Sequence, residues 1–471
     1  MTYKTKEDII ESLVEEPQMS FIKDYSSWRH PNLNETLSVN QLDYFLSQIK
    51  NEFKKTNYVD NTFNKDKHQE QILSYFQNRI EHDLRSNVEQ QNAFKFIDLF
   101  CGAGGLSTGL EQAGLVSDLA LDKDKSSLLT YHFNRPYLKD EQIINDDIRE
   151  VTKEFDFKKT PLVVGGPPCQ GFSNANKQRQ ENDDRNQLYK FYIHTVENAS
   201  PDIFLLENVE GILKHIEEIQ KDFAEIKYTL YPFRLNTKDF GFPQNRKRVF
   251  ILGISNRHEN ISFELHSIFS STIQAAKGKV KFSLWDAISD LPNLKAKTER
   301  NSTFSESSDW GFTFGKFRTN NSPYSNFINP KKNIEAPLLN HKSKFNNERD
   351  IEIYSLLKQG EGSDSESIAS INPYLNREDI FKDKFFKLRP NEPSKTITAH
   401  MYFDCHMYIH PFAARGLTPR EAARVQGFPD DYLFLGSPNE WYRQIGNAVS
   451  PILGNILGQA LNNILKRIYE F

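Results

Sequence analysis

The chain has 471 residues, 38% hydrophobic and 26% charged, with a formal net charge of −4. That length supports two or three domains with a sizeable core, and no run of about 18 apolar residues offers a membrane-spanning helix. Only Cys101, Cys169 and Cys405 are present and no CxxC occurs, so neither a disulfide framework nor a zinc site is expected. The start, MTYKTKEDIIESLVEE, is charged where a secretory signal is apolar, so a cytoplasmic protein is expected.

In chain order, residues 1–93 are polar, with Leu42, Phe45, Leu46 and Ile49 at helical spacing, and form a helical N-terminal extension without evident chemistry. From Phe94 the texture changes. FKFIDLF, LVSDLALD, TPLVVGG, DIFLLENV and RVFILGI are short apolar runs ending in turns, with helical patterns between them. This alternation predicts an α/β fold, a doubly wound and mostly parallel sheet, over 94–294. Between 295 and 385 the rhythm stops and Asn, Ser, Lys and aromatic residues dominate, which marks an inserted smaller domain. The α/β texture returns over 386–471, where Thr418, Pro419 and Glu421 predict an N-cap, a first helical position and a capping box. The mean charge hides an asymmetry: Lys277 to Asn347 holds twelve Lys or Arg against six Asp or Glu. A basic lobe of this kind is expected where phosphates are held.

Chemistry concentrates at the predicted strand ends, where doubly wound sheets bind their ligands. FIDLFCGAGGLSTG is a strand, a glycine turn and a helix, but the third glycine of a dinucleotide fingerprint is replaced by Ser107, and no GxxxxGK[ST] occurs. Asp122 stands where a ribose-binding acid belongs, with Asp124 as a close second, and Asp147 is placed to accept from an adenine amine. Together they describe a site for an adenosine without phosphates, which S-adenosylmethionine satisfies. In VVGGPPCQGFS, two prolines stiffen the turn and aim Cys169, which suggests a nucleophile. A thiolate added at carbon 6 of cytosine turns carbon 5 into an enamine carbon able to take a methyl group. Glu207 in LLENVEG is placed to donate to ring N3. Arg246 and Arg248, at alternate positions entering a strand, are placed to hold the base carbonyl or a flanking phosphate. Each also has a plainer reading: surface carboxylates for the Asp residues, a salt bridge for Glu207, a solvated edge for the two arginines.

Jointly, DLFCGAGGLSTG, GGPPCQGFS, ENVEG, QNRKRVF, RPNEPSKTITAH, REAARVQGFPDDY and QIGNAVSP resemble, in order, the motifs of the cytosine carbon-5 DNA methyltransferase family of bacterial restriction-modification type. The resemblance covers most of 94–255 and 388–455, with Ser450 where the family often has proline. It implies a Rossmann-like, S-adenosylmethionine-dependent methyltransferase with Cys169 as nucleophile, Glu207 as the N3 partner and Arg246 with Arg248 holding the base. By the same resemblance Phe100, Gly102, Ala103, Gly104, Gly105, Asp122, Asp147, Ile148, Pro168, Asn447 and Val449 line the cofactor site. No metal is implied, although Cys405 lies near His400, His406 and His410 in a strand-like segment; Cys101 is read as packing.

Such chemistry requires a base flipped out of double-stranded DNA. Residues 174–187, NANKQRQENDDRNQ, suit a lid, and 295–385 is the expected target-recognition domain. There Lys316, Arg318, Lys331 and Lys332 are available for phosphates, and Trp310, Phe312, Phe314 and Tyr324 fit a small core. A monomer is expected, with a cognate restriction endonuclease acting separately and no membrane partner. Two rivals are an RNA (tRNA) cytosine carbon-5 methyltransferase and a catalytically silent DNA-binding protein of the same fold. The long insertion favours DNA, and intact Cys169, Glu207 and Arg248 favour catalysis.

Overall fold

The computed structural model describes residues 39–89, 92–168, 188–278, 280–300, 302–318, 322–329, 335–375 and 384–469. Cys169, the segment 174–187 and Lys331 with Lys332 lie outside the described residues. Two helices come first, α1 (Val39–Lys55) and α2 (Lys65–Glu89), joined through a short strand β1 (Asn57–Tyr58). Phe45, Ile49 and Phe53 recur at helical spacing, so they form one buried stripe, and it meets Ile72, Phe76 and Ile80 of α2.

The central sheet follows, built as β2 (Lys95–Leu99), α3 (Gly105–Gln112), β3 (Val116–Leu121), α4 (Lys125–Phe133), β4 (Ile143–Ile144), α5 (Ile148–Glu154) and β5 (Leu162–Gly165). It continues with α6 (Leu188–Ala199), β6 (Ile203–Asn208), α7 (Ile216–Glu225), β7 (Tyr228–Asn236), β8 (Lys247–Ser255) and α8 (Ser262–Ala276). The seven strands run in the order β4-β3-β2-β5-β6-β8-β7, and β8 is antiparallel to both of its neighbours while the other pairings are parallel. The expected doubly wound, mostly parallel sheet is therefore present. β7 is an addition to the expected strands. It is an edge strand with alternating exposure and Pro232 within it, so it lacks the continuous apolar run that marks a buried parallel strand.

Strand order reverses between β2 and β5, which leaves a crevice beyond their carboxyl ends. The residues that follow these strands, from Phe100 and from Gly166, stand at that crevice.

Beyond the sheet lie α9 (Leu284–Ile288), β9 (Ser305–Glu306), β10 (Gly311–Arg318), α10 (Pro323–Ile328), β11 (Ala336–Lys342), α11 (Glu348–Leu356), α12 (Pro419–Gln426), α13 (Pro438–Asn447) and α14 (Pro451–Tyr469). β10 and β11 form an antiparallel ribbon, and β9 pairs in parallel with β1. Phe314 of the ribbon stacks on Phe53 of α1 with ring centroids 4.7 Å apart, and its carbonyl takes a 3.0 Å contact from His68 of α2. Phe314 and Leu339 share one core with Phe45, Phe76, Phe133, Leu433 and Leu435, so the N-terminal helices, the ribbon and the sheet's flank are packed together.

β11 is buried along its length although it carries Asn340, His341 and Lys342. Each polar group has a partner. Asn340 exchanges two 3.0 Å hydrogen bonds with the backbone of Phe434, His341 bridges Thr418 and the Pro292 carbonyl, and Lys342 pairs with Glu306. Trp310 donates to the Ser305 carbonyl, Phe312 packs on Tyr58 and Phe63, and Tyr324 is buried and donates to the Arg424 carbonyl. Phe314 and Tyr324 are core, whereas Trp310 and Phe312 are half-buried. Arg318 is ion-paired with Asp290, whereas Lys316 is exposed.

α12 begins as its sequence dictates, with the Thr418 and Glu421 side chains capping each other's backbone N–H and Pro419 in the first turn. α14 lays Leu453, Leu457 and Leu461 against Leu106 and Leu110 of α3 and against α8. The segment around Cys405 is two 3-10 turns, Ala399–Tyr402 and His406–Tyr408, rather than a strand.

Candidate active site

The glycine turn is held in a left-handed backbone. Phe100, Gly102 and Gly104 have φ of 57°, 52° and 81°. Gly102 donates its N–H to Asp122 Oδ2 at 2.8 Å, and Asp124 donates to Asp122 Oδ1 at 2.8 Å, so this carboxylate shapes the turn as well as facing the crevice. Burial pushes the Asp122 carboxyl up, against the pull of those two donors.

Behind the turn stands Arg135, whose side chain is 1% exposed. It donates to the Gly104 carbonyl at 3.0 Å and to Thr108 at 2.9 Å, pairs with Glu111 at 2.8 Å and lies 4.1 Å over the Tyr131 ring. The Tyr432 hydroxyl donates to the Ala103 carbonyl. With the carbonyls drawn backwards, the turn and the α3 N-terminus are fixed. A Cβ at Gly104 would stand 2.5 Å from Arg135 Nη1, so the clamp itself requires glycine there. Neither Arg135 nor Tyr432 was among the sequence candidates: HFNRP carries no recognisable spacing, and the role of Arg135 arises from contacts remote in sequence.

The opposite wall of the crevice is the turn after α13. A Cβ at Gly105 would lie 2.3 Å from the Val449 carbonyl oxygen, so the two turns touch. Asn447 is exposed and Val449 half-buried. Asp147 caps α5 through the Arg149 N–H and also takes the Arg149 side chain at 2.9 and 2.7 Å, which lowers its carboxyl below the usual range. Ile148 is buried beside it, and Pro168 is exposed.

The crevice fits an adenosine-bearing group without phosphates. A Cβ built on Gly102 meets no atom within 4 Å, so open space lies directly over a left-handed glycine. The Asp122 carboxylate borders it through the Gly102 N–H.

The second half of the site is the end of β6 and the start of β8, where Asn208 pairs with Val249 and Glu207 with Phe250. Glu207 Oε1 lies 3.0 Å from Arg248 Nε, and both side chains are largely shielded. A Cβ at Gly166 would meet Glu207 Oε2 at 2.9 Å, and Asn208 donates to the Pro167 carbonyl at 3.1 Å. The GGPP segment that leads to Cys169 therefore runs along Glu207 and Asn208. Arg248 Nη1 bonds the Lys247 carbonyl.

Arg246 does not join this pair. It precedes β8, so the alternation that put it on the face of Arg248 does not apply to it. Its side chain is buried and donates to the carbonyls of Ile397 at 2.8 Å, Gly446 at 3.3 Å and Ala448 at 3.0 Å. Burial, then the charge of Arg248, pushes its guanidinium down to about 9. Of the two arginines expected to hold the base, the structure brings Arg248 to Glu207 and commits Arg246 to buried backbone carbonyls.

Cys101 and Cys405 are buried thiols whose ionisation burial opposes, the latter raised to about 11. His406 contacts the Tyr354 hydroxyl at 2.6 Å, and burial pushes His410 down to about 4. Among the described residues no group of three or more His, Cys, Asp or Glu is arranged to hold a metal, and no helix is long and apolar enough to cross a membrane.

Comparison with known proteins gives a consistent picture. A family model for C-5 cytosine-specific DNA methylases matches residues 94–463. The chain is 30% identical over 393 residues to the Type II methyltransferase M.DdeI of Desulfomicrobium norvegicum, covering 78% of this chain and 88% of that one. It is likewise 30% identical over 431 residues to the Type II methyltransferase M.AgeI of Thalassovita gelatinovora, covering 78% and 99%. A crystal structure of a protein assigned as a DNA modification methyltransferase, encoded within an E. coli prophage, matches with a TM-score of 0.59 at 27% identity, covering 79% of this chain and 100% of that one.

Proposed function

Because the chain belongs to the C-5 cytosine-specific DNA methylase family, as a DNA cytosine-5-methyltransferase of restriction-modification type, we propose that it methylates carbon 5 of a cytosine flipped out of a specific duplex site, through a covalent bond to Cys169. The observation that carries this reading is the meeting of Gly166, Glu207 and Arg248 at strand ends beside the open space over Gly102. S-adenosylmethionine fits that space; when bound it supplies an electrophilic methyl group. Phe100, Gly102, Ala103, Gly104, Gly105, Asp122, Asp147, Ile148, Pro168, Asn447 and Val449 form its surroundings, with Asp122 for ribose hydroxyls and Asn447 as an amide partner.

On the base side, the Cys169 sulfur bonds carbon 6 while Glu207 holds a proton at N3, so the ring's electron pair is delivered to carbon 5. Arg248 Nη2 takes the base carbonyl and keeps Glu207 in register through Nε. Once carbon 5 carries the methyl group, water takes its proton, the electron pair closes the carbon 5–carbon 6 double bond as the Cys169 thiolate leaves, and the N3 proton returns to Glu207. Flipping costs a few kcal/mol, offset by contacts elsewhere on the duplex. The segment 295–385 supplies target recognition, with Lys316 toward phosphate. The enzyme acts as a monomer on host DNA in the cytoplasm and protects it from a cognate endonuclease acting separately. Bisulfite sequencing of plasmid from an expressing host tests the activity and reads the target: protected cytosines in one sequence context are expected, and uniform conversion refutes the reading.

A further inference from the structure

We infer that Arg246 is a positioning residue for the cofactor wall, acting through a buried knot that ties the start of β8 to the turn after α13. The inference rests on the reading of the crevice as an S-adenosylmethionine site. Four chain segments meet in the knot. Arg246 grips the carbonyls of Gly446 and Ala448 with one Nη and that of Ile397 with the other. Gln244, two residues earlier, accepts from the Ile397 N–H at 2.7 Å and donates to Gln426 at the end of α12. Gln426 in turn donates to the Ala448 carbonyl. Two side chains from different elements therefore converge on one peptide group of the cofactor turn.

The geometry sets what those contacts do. With the Gly446 and Ala448 carbonyls turned into the knot, the intervening Asn447 side chain is left exposed, and the Val449 carbonyl is pressed against Gly105. The facing wall is locked from its own side by Arg135. The two walls of the crevice are thus each held by one arginine, and Arg246 is the one that immediately precedes β8, the strand carrying Arg248. A planar guanidinium can reach carbonyls from two separate segments, whereas an ammonium is a single point donor, so lysine does not reproduce the grip. Buried carbonyls left without a donor would turn to find one.

The test separates this role from base holding. S-adenosylmethionine binding to the full-length protein is measured by calorimetry, together with KM and kcat, for the native chain, Arg246→Lys and Arg248→Lys. The knot predicts that Arg246→Lys weakens cofactor binding at least about tenfold and raises its KM to match, while kcat at saturating cofactor falls less than about threefold. Arg248→Lys shows the reverse: a collapsed kcat with native cofactor affinity. Arg246→Lys with native cofactor affinity and a collapsed kcat overturns the inference. Should Arg246→Lys not fold, Gln426→Leu removes a second donor to the same Ala448 carbonyl; weakened cofactor binding supports the knot and native binding refutes it. A native chain that binds no S-adenosylmethionine would instead remove the cofactor reading itself.

Discussion

Gly102→Ala isolates the contact between the cofactor and the turn. In the folded chain the new Cβ meets no atom within 4 Å, so there is no clash to relieve. The cost is that of holding alanine at a φ of 52°, about 1 kcal/mol. With cofactor present, the methyl occupies the space where the ligand approaches the backbone, and binding weakens at least about tenfold, or ~1.4 kcal/mol. Gly105→Ala is the contrasting variant. Its Cβ would stand 2.3 Å from the Val449 carbonyl oxygen and 2.9 Å from Ala448 Cβ, so the two walls must separate. That overpacking costs ~1–3 kcal/mol in stability even without ligand. Calorimetric titration with S-adenosylmethionine, paired with chemical denaturation of the ligand-free proteins, reads both quantities. Native affinity in Gly102→Ala would mean that the cofactor does not approach the turn at Gly102, and the reasoning fails.

Glu207→Gln keeps the shape of the side chain but removes its proton at N3; kcat falls by about 10²–10⁴ while cofactor binding holds, and undiminished turnover excludes Glu207 from the chemistry. Phe314→Ala empties the core shared by α1, α2 and the β10–β11 ribbon. It costs ~3–5 kcal/mol by chemical denaturation, whereas a loss below about 1 kcal/mol would show that the N-terminal helices do not brace the ribbon. Burial raises the Asp98 carboxyl to about 7, against the Ser107 hydroxyl and Arg135. The folded chain keeps a proton there that the unfolded chain loses near pH ~4, so the contribution is present below that pH and is lost as pH rises toward 7. Native stability minus that of Asp98→Asn therefore falls by on the order of 4 kcal/mol across this window, and a flat or rising difference contradicts the assignment.

What the sequence disclosed follows from how each feature is encoded. The buried strands β2, β3, β5, β6 and β8 show as short apolar runs because both faces of a central strand are covered, and α12 shows through its capping residues. β7 does not, because an edge strand needs an apolar residue only at every second position and tolerates Pro232. Arg246 does not share the face of Arg248, because strand alternation begins only at Lys247. Arg135 had no local signal, and the motif REAARVQGFPDDY marked Gln426 and Tyr432 without disclosing what they do: each of the three acts on backbone carbonyls brought near by the fold. The buried polar strand β11 likewise reads as solvent-facing until its partners from Phe434, Thr418 and Glu306 are in place.

The central claim is the bond between Cys169 and the pyrimidine. Plasmid DNA carrying 5-azacytosine in place of part of its cytosine presents the trap at every target whatever its sequence. After incubation with cofactor and nuclease digestion, mass spectrometry of the peptide spanning residue 169 is predicted to show a nucleotide adduct on Cys169 and none in Cys169→Ser. An unmodified Cys169 peptide under conditions where the same preparation methylates ordinary plasmid would contradict the account.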